Sequence, residues 1–272
     1  MLALVTDSTC GLTREEASEL GVDVVPMAYV ADFGRHKEGF VGENGDYVGL
    51  FSSSRHVTTE AVRASAFERV FRSHLDAGDD VLCVTISSRL SGTFRSAEEA
   101  AQAVGGDRVA VVDSWLTAGA LEFLVRRARA LADAGRSLAE VAAELVEQRG
   151  GTRIVFSVPD LSALSRSGRL GAIRRAVATK LNRYPVMALS EGGIVKLTDG
   201  RGARGMAAAM VDSVPEGASD LLISHFGPRG VEAREVFLAA RSRFPEARLR
   251  VKDGGPVLAE HLGLGAVGLS WM

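Results

Sequence analysis

The sequence predicts an α/β fold built on mainly parallel sheets, and three observations lead to that prediction. Short apolar runs alternate along the chain with longer patterns of helical period, as they do in β–α–β units. Several of the runs are continuously apolar, which is typical of strands that are covered on both faces. The 272 residues are enough for one large domain or for two modest lobes with a core each.

Six short apolar runs are the predicted strands. They are Leu2–Val5, Val22–Val25, Val81–Ile86, Val109–Val112, Ile154–Val158 and Leu221–Ser224. The predicted helices lie between and beyond these strands. They are Arg14–Leu20, Ala66–Asp76, Phe94–Val104, Thr117–Ala134, Leu138–Arg149, Gly205–Val214 and Val231–Arg243. Thr13 and Glu16 have the spacing of a capping box, which indicates where the first helix begins.

Two stretches between these elements bear on how the chain is divided. Residues 31–56 have weak periodicity and several glycines, so we expect an irregular excursion there. The pair Gly150–Gly151 follows a long predicted helix and is the best candidate for a boundary. It predicts a first lobe of residues 1–150 and a second lobe of residues 151–272.

Composition and charge exclude several classes of protein. Apolar residues make up 46% and charged residues 24% of the chain, and the net charge of −2 leaves no basic stripe for nucleic acid. Cys10 and Cys83 are too few for a disulfide framework or a four-ligand zinc site, so no metal site is predicted. Neither a signal peptide nor a membrane-spanning run is evident, and we therefore expect a cytoplasmic protein.

Small polar residues follow four of the strand-like runs. The four clusters are Thr6–Thr9, Thr58–Thr59, Ser87–Thr93 and Asp113–Ser114. Ligands of open parallel sheets bind beyond the carboxyl ends of the strands, so these clusters are candidate binding residues. The strongest is Ser91-Gly92-Thr93, because glycine lets a ligand approach the backbone and the helix start that follows favours an anion. The same hydroxyls could instead simply cap that helix.

Two enzymatic alternatives remain open on the sequence. Asp7, Asp113 or Ser91 could serve an acyl hydrolase or transferase, although both aspartates could equally close Asx-type turns and no base accompanies Ser91 in a known motif. Gly200–Gly205 and Gly263–Gly268 match the G-x-G-x-x-G pattern of nucleotide-binding proteins. The first lacks an acid at the end of the next strand, and the second is too close to the end of the sequence to open a crossover helix.

Five segments together resemble the DegV family of bacterial fatty-acid-binding proteins, which includes the lipid-binding subunits of bacterial fatty acid kinase. They are Thr6–Cys10, Ile86–Thr93, Val111–Ser114, Leu161–Gly171 and His261–Gly268. The string Ile-Ser-Ser-x-Leu-Ser-Gly-Thr and the string Gly-Arg-Leu-Gly are specific in combination.

The resemblance implies two α/β lobes with a lipid tunnel between them. Thr59 and Ser91, with Gly92, Thr93 and His261 beside them, would hold the carboxylate of a long-chain fatty acid. Arg169 matches a position that resembles a contact to the kinase subunit. The chain itself would have no catalytic residue and no cofactor. The partner kinase would supply ATP and form an acyl phosphate for phospholipid metabolism.

The sequence departs from the family pattern at two places. Glu60-Ala61-Val62-Arg63 replaces the usual Ser-Gln-Pro-Ser after the threonine, and Tyr184 replaces a basic residue before Pro185. A glutamate beside a carboxylate site repels an anion unless a cation pairs with it or it points away. We therefore expect Glu60 either to pair with Arg63 or to face away from the ligand.

Overall fold

The computed structural model describes residues 1–149, 153–169 and 182–272. The strands of this described part are β1 (Leu2–Asp7), β2 (Val22–Val25), β3 (Ala28–Ala31), β4 (Gly34–Lys37), β5 (Thr58–Glu60), β6 (Asp80–Thr85), β7 (Val109–Asp113), β8 (Arg153–Ser157), β9 (Arg183–Ser190), β10 (Gly193–Arg201), β11 (Asp220–His225), β12 (Arg248–Asp253) and β13 (Val267–Trp271). The helices are α1 (Arg14–Leu20), α2 (Tyr47–Ser53), α3 (Ala64–Asp76), α4 (Thr93–Val104), α5 (Ala118–Asp133), α6 (Leu138–Gln148), α7 (Ser162–Arg166), α8 (Gly202–Val211), α9 (Val231–Arg243) and α10 (Pro256–Leu262).

All predicted strands and helices are present, and most differ from the prediction by a few residues at one end. The helices α1 and α9 have the predicted bounds. The capping box at the start of α1 is formed in both directions. The Thr13 hydroxyl accepts from the Glu16 N–H at 3.2 Å, and the Glu16 carboxylate accepts from the Thr13 N–H at 2.9 Å.

The first lobe is built on a four-stranded sheet in the order β2-β1-β6-β7, with every pair parallel. Its central strand β6 is the continuously apolar run of the sequence, and Leu82, Cys83 and Val84 are almost fully buried. Helices cover both faces of this sheet, which explains why these strands do not alternate between apolar and polar residues.

The second sheet corrects the prediction of mainly parallel pairing. It has the order β10-β9-β8-β13-β11-β12, and the β11–β12 pair is parallel while the other pairs are antiparallel. One reason is the two-residue turn between β9 and β10, where Glu191 and Gly192 have positive φ angles of 47° and 77°. Such a turn forces a hairpin, since its backbone twist matches that of antiparallel strands. The α/β class and the two lobes are confirmed.

The expectation of an irregular segment at residues 31–56 is wrong. β4 and α2 lie within it, and β3, β4 and β5 form a separate antiparallel sheet in the order β4-β3-β5. These strands have three or four residues each, which is too short for their periodicity to stand out. The predicted boundary at Gly150–Gly151 lies outside the described residues and stays a prediction.

A buried cluster of charges joins the two lobes. Glu122 of α5 is fully buried and contacts Arg126 at 2.8 Å, Lys252 at 2.7 Å and also Arg250. Arg250 and Lys252 belong to β12 of the second lobe. Glu16 of the first lobe contacts Lys252 and lies 2.9 Å from Arg126. Each desolvated charge therefore has an opposite partner, which a buried ion needs in order to be tolerated.

Candidate functional site

A cavity lies between the two lobes, and its empty space, counted together with its opening to solvent, is about 840 Å³. Ile86 and Leu90 line it from the first lobe, and Ile154, Phe156 and Ile194 line it from the second. Its wall is mainly aliphatic and aromatic, with a few polar groups, as is typical of small-molecule sites. The arrangement suits an apolar ligand that both lobes enclose.

Polar side chains from distant segments are among the residues that line the cavity. Thr59 of β5 and His261 of α10 are 2.8 Å apart between the hydroxyl Oγ1 and the ring Nε2, although 202 residues separate them in sequence. Ser91, between β6 and α4, lines the same cavity. On the opposite side of the ring, His261 Nδ1 lies 2.7 Å from a carboxylate oxygen of Glu260. Two hydroxyls and an imidazole are thus available to a ligand oxygen.

The Ser91-Gly92-Thr93 segment is only partly as predicted. Ser91 and Gly92 line the cavity, but Thr93 does not, because its fully buried hydroxyl is engaged behind the wall. Thr93 Oγ1 lies 3.0 Å from Ser91 Oγ and accepts from the Val62 N–H at 3.2 Å. Ser91 Oγ also accepts from the Thr93 N–H at 3.2 Å, which is a turn contact and not a cap, because the residue that precedes α4 is Gly92 and the helix has no side-chain cap.

Arg169 lies where the cavity meets an outer groove, and it lines both. Its guanidinium donates to the carbonyl of Leu90 at 3.2 Å and to the carbonyl of Ser167 at 2.5 Å. Arg55 and Arg166 line the same outer groove. The side chain is therefore held at the opening, and a contact between Arg169 and a partner stays a prediction.

Glu60 is neutralised by arginines and does not line the cavity. Its carboxylate accepts from Arg35 Nε at 2.7 Å, while Arg63 lies 3.9 Å away. The hydrogen bond from Arg35 lowers the pKa of Glu60. Side chains alternate along a strand, so Thr59 and its neighbour Glu60 face opposite ways on β5. Arg35, which the sequence analysis did not single out, is thus the main partner. The other departure, Tyr184, donates its hydroxyl to Glu232 at 3.1 Å.

The two aspartates of the enzymatic alternative close turns. Asp7 is fully buried and accepts from the Thr9 N–H at 3.0 Å and from the Ile86 N–H at 2.7 Å. Burial raises the pKa of Asp7. Asp113 accepts from the Ser88 N–H at 3.0 Å and from the Trp115 N–H at 3.2 Å. Neither carboxylate lines the cavity, so the geometry favours the turn interpretation for both.

The first G-x-G-x-x-G match has a packing role. A side-chain carbon at Gly200 would lie 2.3 Å from the backbone of Met206, so β10 and the start of α8 approach too closely for any other residue. This contact accounts for Gly200 without a nucleotide.

Sequence reasoning missed most of the cavity wall and one buried acid. Leu258 and Leu262 of α10 line the cavity, yet no pattern in the sequence marks that short helix.

Glu38 follows β4 and is 3% exposed. Its carboxylate accepts from the Ser8 hydroxyl at 2.6 Å and from the Val257 N–H at 2.9 Å. Burial, above all, raises the pKa of Glu38 to about 7.

The fold and the site together define a two-lobed α/β protein with an apolar cavity between the lobes and a polar group at its wall. Comparison with known proteins agrees with this class. The model of the DegV family, described as uncharacterised proteins, matches residues 1–272. A DegV domain-containing protein of Halalkalibacterium halodurans is 31% identical over 99% of this chain and 98% of its own length. The chain belongs to the DegV family.

Solved structures of the family have the same fold. A DegV family protein from Thermus thermophilus, described by its fatty acid binding, is 32% identical, with a TM-score of 0.86 over 99% of this chain and 98% of its own. DegV of Bacillus subtilis, described as a fatty acid binding protein, is 25% identical, with a TM-score of 0.85 over 99% of this chain and 98% of its own. Among the described residues of this chain, no helix is long and apolar enough to cross a membrane.

Proposed function

We propose that this chain binds a long-chain fatty acid in the cavity between its lobes and presents the carboxylate to a partner kinase. The observation that carries the proposal is an apolar cavity whose lining includes Thr59, Ser91 and His261. The hydroxyls and the imidazole donate to the carboxylate, and the apolar wall encloses the acyl chain. The fatty acid binding of the related proteins supports the same ligand class.

The acyl chain supplies most of the affinity, and the polar residues orient the ligand. Burying a methylene contributes about 0.8 kcal/mol, so a chain of about 14 methylenes contributes on the order of 11 kcal/mol before the cost of ordering. A hydrogen bond from a neutral hydroxyl to a charged group contributes only about 1.5–3 kcal/mol. The hydroxyls therefore fix where the carboxylate lies rather than whether the lipid stays bound.

The chain provides no catalytic group in this proposal. An ATP-dependent kinase supplies the nucleotide and the phosphoryl-transfer residues, and the fatty acid carboxylate attacks the γ-phosphate to give an acyl phosphate and ADP. Arg169 stands at the opening, where such a partner has to reach the carboxylate, and it is our candidate contact residue.

Native and denaturing mass spectrometry of the protein purified from a bacterial host tests the lipid part. We expect an adduct with the mass of a C14 to C20 fatty acid that is lost on denaturation and recovered by solvent extraction. A protein that is empty and also ignores added oleic and palmitic acid would contradict the proposal.

The double variant Thr59→Ala, Ser91→Ala separates lipid retention from presentation. We expect it to purify with bound fatty acid and to lose most of the ATP-dependent acyl phosphate formation by an added bacterial fatty acid kinase. Arg169→Ala should also lose turnover while keeping its lipid. Arg95→Ala is the matched control, because Arg95 is an exposed arginine paired with Glu99 on α4. A lipid-free double variant would show that the hydroxyls provide the affinity, against this division of roles.

A further inference from the structure

Glu38 is a buried carboxylate that bridges the two lobes beside the cavity. Its Oε2 accepts from the hydroxyl of Ser8, which follows β1 of the first lobe, at 2.6 Å. Its Oε1 accepts from the N–H of Val257, in the first turn of α10, at 2.9 Å. The Ser8 oxygen also accepts from the N–H of Met27 at 3.0 Å, and both Met27 and Val257 line the cavity.

The helix that Glu38 contacts is the one that carries His261. Val257 and His261 are four residues apart, so they lie on the same face of α10, one turn from each other. Pro256 has no N–H, and the N-terminal residue Gly255 offers no side-chain cap. A side-chain carbon at Gly255 would lie 2.5 Å from Glu38 Oε1, so the carboxylate is packed directly against this turn. Because α10 has only seven residues, fixing its first turn also fixes its last.

We propose that Glu38 is a positioning residue for the fatty acid, which acts by holding α10, and with it His261, against the first lobe. The inference rests on the proposed function, since His261 is a ligand residue only if a carboxylate binds there. It goes beyond that function by assigning one contact between the lobes, the one beside the cavity, to a buried acid that touches neither the ligand nor a partner.

The charge of Glu38 then sets how readily the lobes separate. The titratable groups that face it in the described structure are Asp7, Asp253, Tyr29 and Tyr47. Burial is the largest cause of its raised pKa, and the charges of Asp7 and Asp253 raise it further. When the lobes separate and water reaches Glu38, its pKa returns towards the ordinary value of 4.5, from about 7 in the closed form.

The direction of the pH dependence follows from these two values. Between pH 4.5 and about 7 the closed form binds more protons than the open form, so lowering the pH favours closure. The stability that protonation of Glu38 gives to the closed form relative to the open form is fully present below pH 4.5 and is lost as the pH rises through about 7. Release of the fatty acid through opening therefore accelerates with rising pH, by at most about tenfold per unit, and levels off above about pH 7.

Release of cis-parinaric acid, a fluorescent C18 fatty acid, tests the proposal in the full chain. We load the protein, add excess oleic acid and follow the loss of fluorescence by stopped flow from pH 5.5 to 8.5. Glu38→Gln keeps an acceptor for the Val257 N–H and turns an uncharged amide towards the Ser8 hydroxyl, as the protonated acid also offers an O–H there, so we expect slow release at every pH. Glu38→Ala removes the contact, so we expect release at least tenfold faster than wild type at pH 6. Glu43→Gln is the matched control on the same segment, because Glu43 is exposed and paired with Arg14.

The amide of Val257 gives a second measurement that does not need the lipid. Its NMR chemical shift should titrate with a midpoint near pH 7 in the wild type and stay flat in Glu38→Gln. Histidine side chains generally titrate in the same range, so the comparison of variants decides the question. A pH dependence of release that survives in Glu38→Gln, or wild-type release by Glu38→Ala, overturns the positioning role. Failure of the wild type to bind either fatty acid overturns the proposed function itself, whatever the amide reports.

Discussion

Filling the cavity at Gly268 should shorten the fatty acid that the protein carries. Gly268 lies on β13 and lines the cavity. A side-chain carbon added there would meet Ile154 at 3.7 Å and Phe156 at 3.9 Å, which are ordinary contact distances. The strand therefore tolerates a side chain at this position, and a larger one has to extend into the space that the acyl chain occupies.

The size of the effect follows from the volume that is lost. Gly268→Leu adds four carbon atoms to the wall, so a long chain loses the burial of about four methylenes. At about 0.8 kcal/mol each, the loss is about 3 kcal/mol, or roughly 200-fold in the dissociation constant for a C18 acid. A C14 acid is four methylenes shorter than a C18 acid, so it should lose less affinity for the variant than the C18 acid does. Gly268→Ala adds one carbon and should have a smaller effect of the same direction.

The assay is displacement of a bound fluorescent fatty acid by saturated acids of C12 to C18, measured on the wild type and both variants. Fatty acids extracted from the three purified proteins give an independent profile of chain length. Thermal unfolding of the empty proteins controls for damage to the second sheet. An unchanged chain-length profile in a folded Gly268→Leu protein would refute the position that we assign to the acyl chain.

Three further predictions concern charge and reactivity. Glu122→Ala removes the central carboxylate of the buried cluster between the lobes and should lower the free energy of unfolding by about 3–5 kcal/mol in urea titrations, whereas a surface pair would cost under 1 kcal/mol. Cys10 and Cys83 are fully buried, and burial raises the pKa of both thiols, so native protein should resist iodoacetamide at pH 8 until it is unfolded, as mass spectrometry can show. Arg35→Ala removes the main partner of Glu60 and should weaken fatty acid binding a few-fold at low salt and less at high salt. Equal affinity at low salt would mean that the charge of Glu60 does not act on the bound carboxylate.

The first lobe could be predicted from the sequence because burial on both faces leaves a continuous apolar run. The strands β1, β6 and β7 show this pattern, and the polar residues at their ends mark the edge where Ser91 lies. The small sheet of β3, β4 and β5 could not be predicted in the same way. Its strands are short, and β4 is largely exposed, so no apolar pattern arises. The direction of pairing in the second sheet was also beyond the sequence pattern, since an apolar run reads alike in parallel and antiparallel neighbours.

The site itself was predictable only in part, because its members come from distant segments. Ser91 and Thr59 both belong to clusters that follow strand-like runs, while their joint role with His261 was expected through the family resemblance. Their contact spans 202 residues of sequence, and no periodicity reports it. Ser91 and Thr93 look equivalent in the sequence, and only the structure shows that the Thr93 hydroxyl is covered while Ser91 lines the cavity. Glu38 gave no signal, since a glutamate in a weakly patterned segment is usually exposed.

The Glu122 cluster and Glu38 stabilise the contact between the lobes in different ways. In the Glu122 cluster every carboxylate has a cation within reach, so closing the lobes leaves no net uncompensated charge there. Glu38 has hydroxyl and N–H donors, but the charges that raise its pKa are further carboxylates. The first group therefore holds the lobes together whether or not a lipid is bound, because its partners lie on both sides of the interface. The second makes closure near the cavity conditional on a proton, so the side of the interface that carries His261 is the side that opens more readily above neutral pH.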